Sequence, residues 1–532
     1  MGLLLLPAVA LAALIVYYVL FPKKQTGLPL PPGPKPLPII GNLLDLPPAG
    51  TAEYKHWAKH KELYGPISSL NILGQPMIVL NSPDAMHELL EKRSTKTSSR
   101  PSATFGGELC GFKVMLPLIP YGDKFRYFRK LVHQQMGTKL ICSEFRDTQD
   151  LESLRFLIRN LERPEELQKH IKTEAAAIIL RIIYGYSIEP RKVDPLVSLI
   201  ETMMIHFSDA FVPLSWAVDI FPSLNNLPDW FPGTSFKKTA REWRRVTDQS
   251  LDVPYDFVMK QMSTGTNRPS YVSNLMSKSF KNDQGTGKPT KEDIDAVKAT
   301  ATIMYGGGAD TTVSTISSFI LAMIKFPEVQ KKAQAEIDRV TGGERLPNFD
   351  DEKDMPYIRA LCKEALRWMP VVPTTTTHMT EEELEYGGYR IPKGTYLIPS
   401  TWALLHDPEV YHDPSAFEPE RYIEPRNEPD PAEYAFGYGR RICPGRYLAE
   451  DSIFMTCVRL LAVFNMRKAV GEDGKEIDVV VDGTPGLISH PVDYAYSITP
   501  RSDKHVELVR AAERAHPWEE SDAPSLPKDS LV

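Results

Sequence analysis

Phe436-Gly437-Tyr438-Gly439-Arg440-Arg441-Ile442-Cys443-Pro444-Gly445 is the stretch on which the fold turns, and the apolar run Tyr447-Leu448-Ala449 follows it at once. It sets one cysteine in a short, glycine-punctuated loop at the predicted start of a helix, an arrangement that presents a single thiolate to a metal. Gly439 and Gly445 allow backbone conformations that a side chain forbids, so the loop is expected to turn tightly with amide N–H groups aimed at the sulfur. Those donors, Arg441 and the helix N-terminus beyond favour the anion over the thiol.

The loop is similar to the haem-binding signature of the cytochrome P-450 superfamily, Phe-x-x-Gly-x-Arg-x-Cys-x-Gly, with every specified position filled. The resemblance implies a mainly α (α+β) fold with a long central helix, a haem-ligand cysteine loop and small β-sheets. It implies heme b, iron protoporphyrin IX, held through the Cys443 thiolate, with Phe436, Gly437 and Gly445 against the cofactor.

Upstream, Thr290 is a plausible N-cap with Asp293 three residues on, and an apolar-periodic pattern runs from there to Phe326 before Pro327. About 35 residues at roughly 1.5 Å each predict a helix of roughly 50 Å. In its middle stands Gly307-Gly308-Ala309-Asp310-Thr311-Thr312, although each interior glycine costs about 1 kcal/mol relative to alanine. Missing side chains there let a flat ligand lie against the backbone, or let helices pack closely; a threonine hydroxyl can open the helix ladder to water. The stretch resembles the family's oxygen-activation sequence, Ala/Gly-Gly-x-Asp/Glu-Thr, which maps onto Gly307, Gly308, Asp310 and Thr311. The resemblance makes Thr311 and Asp310 catalytic, handling the protons that dioxygen activation consumes, and places Gly307 and Gly308 at the haem.

Glu364 and Arg367, three apart on a predicted helix from Pro356 to Met369, share a face and can pair. The family shows Glu-x-x-Arg at this place, joined by a later arginine that matches Arg421, as a buried triad that locks the haem-side core. The haem propionates call for cations or hydrogen-bond donors. By the same resemblance these are Arg129, Arg441 and His378. Phe125 departs from the family's Trp-x-x-x-Arg pattern and has no indole N–H to donate, so anchoring leans on the other three.

The 532 residues carry a net charge of -6 with both signs interspersed, which excludes the basic stripe of a nucleic-acid binder. Five scattered cysteines, without paired spacing, read as a reducing-side protein rather than a disulfide framework. From Leu3 to Phe21 the chain is almost wholly apolar and ends at Pro22-Lys23-Lys24, which reads as a membrane anchor with the body on the cytosolic side. A cleaved signal peptide is the rival, but no positive charge precedes the run. The expected organisation is a transmembrane anchor over 1–22, a proline-rich hinge over 23–48, a catalytic domain over 49–510 and a polar tail over 511–532. Residues 264–289 and the tail are polar and expected to be mobile.

Ile67–Leu73 with Met77–Leu80 around Gly74-Gln75 reads as a hairpin, and Tyr389–Ile391 with Thr395–Ile398 around Pro392-Lys393-Gly394 as another. His56 and His60 have i,i+4 spacing, but interleaved lysines favour a solvated helix face over a metal site. Taken together, the resemblance implies a microsomal, single-pass monooxygenase of the endoplasmic reticulum, fungal in style, that serves secondary metabolism or xenobiotic oxidation. It would take electrons from an NADPH-dependent flavoprotein reductase, with cytochrome b5 as an optional donor, and insert one oxygen atom into an apolar small molecule. Arg126, Lys130, Arg440 and Arg446 form a candidate basic patch for that reductase. By family analogy the substrate pocket draws on residues 105–118, Ile303 and Met304, 371–377 and 486–488. A peroxide-using haem-thiolate isomerase would lack the Asp310-Thr311 pair, and a haem-binding sensor would not consume NADPH with dioxygen.

Overall fold

The opening helix α1 (Glu53–Tyr64) leads into strands β1 (Ile67–Ile72) and β2 (Gln75–Leu80). Helices then dominate: α2 (Asp123–Met136), α3 (Arg146–Glu162), α4 (Leu167–Tyr184), α5 (Pro195–Ala210), α6 (Phe236–Thr264), α7 (Lys291–Lys325), α8 (Pro327–Thr341) and α9 (Pro356–Trp368). Four short strands follow, β3 (His378–Met379), β4 (Leu384–Tyr386), β5 (Tyr389–Ile391) and β6 (Tyr396–Pro399). The chain closes with α10 (Arg446–Val463), β7 (Phe464–Lys468), β8 (Tyr496–Pro500) and α11 (Asp503–Ala515). This is a computed structural model that describes residues 27–48, 50–212, 215–277 and 287–527. The apolar run Leu3–Phe21 lies outside the described residues, and among these no single helix is long and apolar enough to cross a membrane.

Helix α7 organises the body, and its start is set locally. The Thr290 hydroxyl accepts from the Asp293 amide (3.2 Å), and the Asp293 carboxylate accepts from the Thr290 amide (2.8 Å), so a reciprocal pair satisfies two otherwise orphaned N–H groups. Pro327 has no N–H to continue the ladder and instead begins α8, which ends at Gly342 in the left-handed region (φ 66°). Helix α7 is apolar on every side, as a helix must be when it is surrounded by protein. It lies along α4 and also touches α6, α9 and α10.

Two cores divide that helix. Ala296 to Tyr305 pack with α4, α5, α6 and the loop from Phe105 to Ile119. Val313 to Ile324 pack with α8, α9 and α10. The glycine-bearing segment falls where α7 passes from one core to the other.

The first hairpin forms as the sequence predicts, with Ile72 opposite Gln75 and a tight turn through Leu73 (φ 51°) and Gly74 (φ 92°). The second does not. Tyr389–Ile391 pairs instead with Leu384–Tyr386, because Gly387 (φ 58°) and Gly388 (φ 80°) supply a two-residue turn that was not recognised as one. Tyr396–Pro399 is thereby freed to join the main sheet, parallel to β2 and antiparallel to β3, in the order β1-β2-β6-β3.

The proline-rich segment is extended and docks on β1: the Ser69 amide donates to the Pro32 carbonyl (2.8 Å), and any side chain at Gly33 would collide with Ser69 O. Two further expectations are corrected. His60 is buried, with Nδ1 2.8 Å from Ser68 Oγ, and burial pushes its pKa down to about 4, so it is neither a ligand nor part of a solvated face. The polar tail is anchored. Trp518 sits among Arg155, Arg159 and Arg191 (5.1 to 5.3 Å), Glu519 pairs with Arg181 and Asp522 with Arg268. Within 264–289, Tyr271–Met276 forms a short capped helix with Tyr271, Val272 and Leu275 buried; residues 278–286 lie outside the described residues.

Candidate active site

The cysteine loop closes on itself. The Cys443 amide donates to Phe436 O (2.7 Å), and the Arg441 amide to Tyr438 O (3.0 Å). Left-handed residues make the closure possible, but they are Gly437 (φ 77°) and Gly439 (φ 52°), not Gly445. A Cβ at Gly439 would also stand 2.2 Å from Leu90 O, so this loop and the helix before Ser94 approach closely only through glycine. Gly445 serves differently: its amide hydrogen-bonds the Cys443 sulfur just before α10 begins. Burial nevertheless raises the Cys443 pKa, outweighing the Gly445 amide, Arg129 and Arg446. A coordinated cation would act in the same sense as those three groups and favour the thiolate.

Helix α7 carries the segment for which the sequence predicts a cofactor face. It is buried on either side of this segment, yet Ile303, Met304 and the residues from Gly307 to Thr311 keep partial exposure. A Cβ at Gly307 or Gly445 would meet no atom of another element within 4 Å, so both glycines border open space. Gly308 does not. Its Cβ would stand 2.7 Å from Ile179 Cδ1 on α4, and that of Gly306 2.5 Å from Met204 Sδ on α5. These two glycines let neighbouring helices pack against α7, and Gly308 is thus removed from the cofactor face assigned to it by the sequence.

The Thr311 hydroxyl donates to Gly307 O one turn back (2.6 Å). Asp310 Oδ1 lies 3.1 Å from Nε2 of His490, a residue the sequence did not single out. The segment carrying His490 is tied to its surroundings, since the Ser489 amide donates to Val371 O (2.8 Å) and the Ser314 hydroxyl to Ser489 O (2.6 Å). A Cβ at Gly437 would be 3.9 Å from Thr375 Cγ2, which joins the 371–377 segment to the cysteine loop. Leu109, Val114, Leu118, Leu487 and Ile488, all partly buried, add apolar wall from two further segments.

One rim of this space gathers positive charge. Arg441 donates to the carbonyls of Ser98 (2.8 Å), Leu116 (3.3 Å) and Ile119 (2.6 Å), and its guanidinium lies 3.8 Å from the centre of the Phe125 ring. Phe125 therefore offers a π face in place of the donor that tryptophan would provide. Arg100, 5% exposed, donates to Pro117 O, Thr376 O and Thr377 O. Burial first, and the Arg441 charge second, pull Arg100 well below the ordinary range; burial first, and the Arg129 charge second, pull Arg441 down to about 10. Arg129 is likewise lowered by burial and feels both Cys443 and Arg441. His378 is fully buried; its Nδ1 must donate to Thr97 O (2.9 Å), which leaves Nε2 without a partner. Burial and Arg100 hold its pKa well below the ordinary value. Three guanidiniums with no carboxylate in ion-pair contact among the described residues fit a ligand that brings two carboxylates, whereas the bare Nε2 of neutral His378 is an acceptor and would have to take up a proton before it could meet one. Haem is such a ligand.

Behind the cysteine loop, Glu364, Arg367 and Arg421 meet with no exposure at all. Glu364 accepts from Arg367 Nη2 (2.7 Å) and Nε (2.8 Å), from Arg421 Nε (3.1 Å), from the Glu418 amide (2.9 Å) and from the Tyr422 hydroxyl (3.0 Å). Both arginines also donate to carbonyls of the 405–416 segment, which fixes the chain leading to the cysteine loop. Arg100 and His490 were missed because their partners are remote in sequence; Ser98-Ser99-Arg100-Pro101 and His490-Pro491 carry no local signal.

Comparison with known proteins agrees with this geometry. The family described as Cytochrome P450 matches residues 31–495. The chain is 51% identical over 532 residues to Cytochrome P450 monooxygenase CLM2 of Gibberella zeae, covering 99% of this chain and 100% of that protein. It is 49% identical to the Multifunctional cytochrome P450 monooxygenase af510 of Aspergillus fumigatus, with 94% of each covered. To the O-methylsterigmatocystin oxidoreductase of Aspergillus flavus it is 38% identical over 97% of this chain and 96% of the other.

Proposed function

Because this chain belongs to the cytochrome P450 family and is a haem-thiolate monooxygenase, we propose that Cys443 would ligate the haem iron and that the surrounding residues divide the remaining work. The observation that carries this is a partly exposed cysteine within reach of the Arg129 charge, beside a rim of cations that no carboxylate pairs among the described residues. When bound, haem supplies the redox iron at which dioxygen is activated. Cys443 holds it from one side, with the Gly445 amide hydrogen-bonded to the sulfur and limiting its charge donation. Arg100, Arg129 and Arg441 would receive the propionates, and His378 would join them only by taking a proton onto Nε2. Gly307 keeps the helix backbone low over the cofactor. Thr311 and Asp310 hold and pass protons on the side opposite the sulfur. The apolar wall from Leu109 to Leu118, Ile303, Met304 and Ile488 excludes water and selects an apolar small-molecule substrate.

The electron donor is an NADPH-dependent flavoprotein reductase docking on the sulfur side. Arg126 and Arg440 flank the same Tyr121 ring (5.5 and 5.7 Å), which supports a shared basic surface, and Lys130 is exposed nearby on α2. The apolar segment Leu3–Phe21 anchors the protein in the endoplasmic reticulum membrane with the body in the cytosol; exposed Ile39 and Leu44 just beyond it are compatible with a lipid surface.

The deciding experiment is the carbon monoxide spectrum of Cys443→Ala beside wild type. Loss of the red-shifted thiolate band is expected, and its persistence would refute the ligand assignment. For the donor surface, Arg126→Glu with Lys130→Glu should slow reductase-dependent turnover and weaken its salt dependence. Unchanged rates would exclude that patch.

A further inference from the structure

We propose that His490 is the positioning residue for Asp310 and the point at which protons enter the site, an inference that rests on the role given to Asp310 above. The contact is direct, with Nε2 3.1 Å from Oδ1, and both side chains keep partial exposure, 30% for His490 and 28% for Asp310. One edge of the ring therefore reaches water while the other faces the carboxylate.

The backbone under His490 is built to hold that position. The His490 amide donates to Thr484 Oγ1 (2.9 Å), the Thr484 amide donates to His490 O (2.7 Å), and the Ser489 hydroxyl donates to Thr484 O (2.9 Å). This closed turn is fastened to α7 itself by the Ser314 hydroxyl on Ser489 O (2.6 Å), one helical turn beyond Asp310. It is fastened to the wall opposite by the Ser489 amide on Val371 O (2.8 Å). A shift of α7 or of the 371–377 segment thus carries imidazole and carboxylate together.

Other charges nearby are already engaged. In the loop, Asp482 pairs with Lys55 (2.6 Å), and Glu53 accepts from the Gly486 amide (3.0 Å). On α4, which lies along α7, Glu174 accepts from Thr456 (2.8 Å), Arg181 pairs with Glu519 (2.9 Å), Lys172 faces Glu201 and Lys169 faces Glu166. The remaining charges of α7 lie toward its two ends. His490 is the imidazole that the structure sets against Asp310.

The step is a simple proton transfer. Imidazolium gives its Nε2 proton to the Asp310 carboxylate, becomes neutral, and is recharged from water at its exposed edge; nothing is oxidised or reduced. A glutamine in its place can hydrogen-bond Asp310 but cannot carry a proton.

The test compares His490→Gln, His490→Ala and Asp310→Asn as full-length, haem-loaded enzymes with reductase. His490→Gln should keep the carbon monoxide spectrum, lower product per NADPH about tenfold, raise peroxide release, and leave coupling less dependent on pH than in wild type. Turnover driven by added peroxide, which brings its own protons, should be spared. In the resting enzymes, without NADPH or reductase, amide exchange across residues 483–491 should quicken in His490→Ala, which removes the contact, and stay near wild type in His490→Gln, which keeps a hydrogen bond to Asp310. Wild-type coupling and pH profile in His490→Gln, with Asp310→Asn uncoupled, would overturn the inference and leave the role of Asp310 intact. Normal coupling in Asp310→Asn would instead overturn that role and this inference with it.

Discussion

Replacing Glu364 by glutamine should unhinge the haem-side core, because Glu364 is, among the described residues, the one carboxylate that meets both fully buried guanidiniums; Arg421 has Glu428 as well (3.1 Å), but Arg367 has no other. Volume is kept and one oxygen remains. The five donors that converge on the carboxylate come from Arg367, Arg421, Glu418 and Tyr422. A glutamine amide would turn its own N–H groups on some of them, most damagingly on an Arg367 nitrogen 2.7 to 2.8 Å away. Burial by itself pulls the Arg367 pKa down, yet the Glu364 hydrogen bonds and charge more than restore it, so the pair is coupled and the loss falls on both partners. Breaking a buried pair from one side costs about 3–5 kcal/mol, a large share of the ~5–15 kcal/mol that typically holds a protein folded. The assay is the thermal midpoint for loss of the thiolate-haem band, together with haem bound per chain after expression. A drop of at least about 3–5 °C is expected for a chain of this length, and haem content should fall as well. Removing the charge of exposed Glu344, paired with Lys504, should do neither. A Glu364→Gln midpoint within about 1 °C of wild type would refute the argument, since the triad would then hold nothing that packing does not.

The glycines of α7 should separate by face. Gly308→Ala presses on Ile179 and should cost about 1–3 kcal/mol, offset by ~1 kcal/mol of helix propensity, whereas Gly307→Ala should gain stability while altering the haem spectrum; equal thermal midpoints would argue against the division. Arg100→Met should lower the haem bound per chain, and an unchanged pyridine haemochrome yield would remove Arg100 from the propionate rim. Burial, opposed by the Thr456 hydrogen bond, raises the Glu174 pKa from 4.5 to about 8. The folded state therefore binds the proton more tightly than the unfolded chain, and stability should decline as pH climbs from about 4.5 to about 8, by on the order of 4 kcal/mol in all, then level off. Midpoints of wild type and Glu174→Gln across that window check it, the variant losing the slope.

The elements most legible in the chain were those whose signals are local. Thr290 with Asp293, Pro327 and Gly342 bracket α7 and α8 within a residue of expectation, because caps and breakers act on the neighbouring few amides. The β4–β5 hairpin was misread for the complementary reason: strand pairing depends on which partner wins, and Gly387-Gly388 decided it. The anchored tail and the buried His60 were also misjudged, since polar composition does not say whether a partner waits elsewhere. Trp518 finds its three arginines on α3 and in the loop after α4.

By itself the sequence determined the family and marked the cysteine, the acid–alcohol pair and the triad as candidates, because each is a short pattern whose chemistry demands particular residues at fixed spacing. Only the tertiary structure decided which glycine borders open space and which faces Ile179, that Glu364, Arg367 and Arg421 meet without exposure, that Arg100 donates to the 376–377 carbonyls, and that His490 stands against Asp310. Those matters depend on what lies across a gap of several ångströms between segments hundreds of residues apart, where distance and desolvation, not residue order, set the energies.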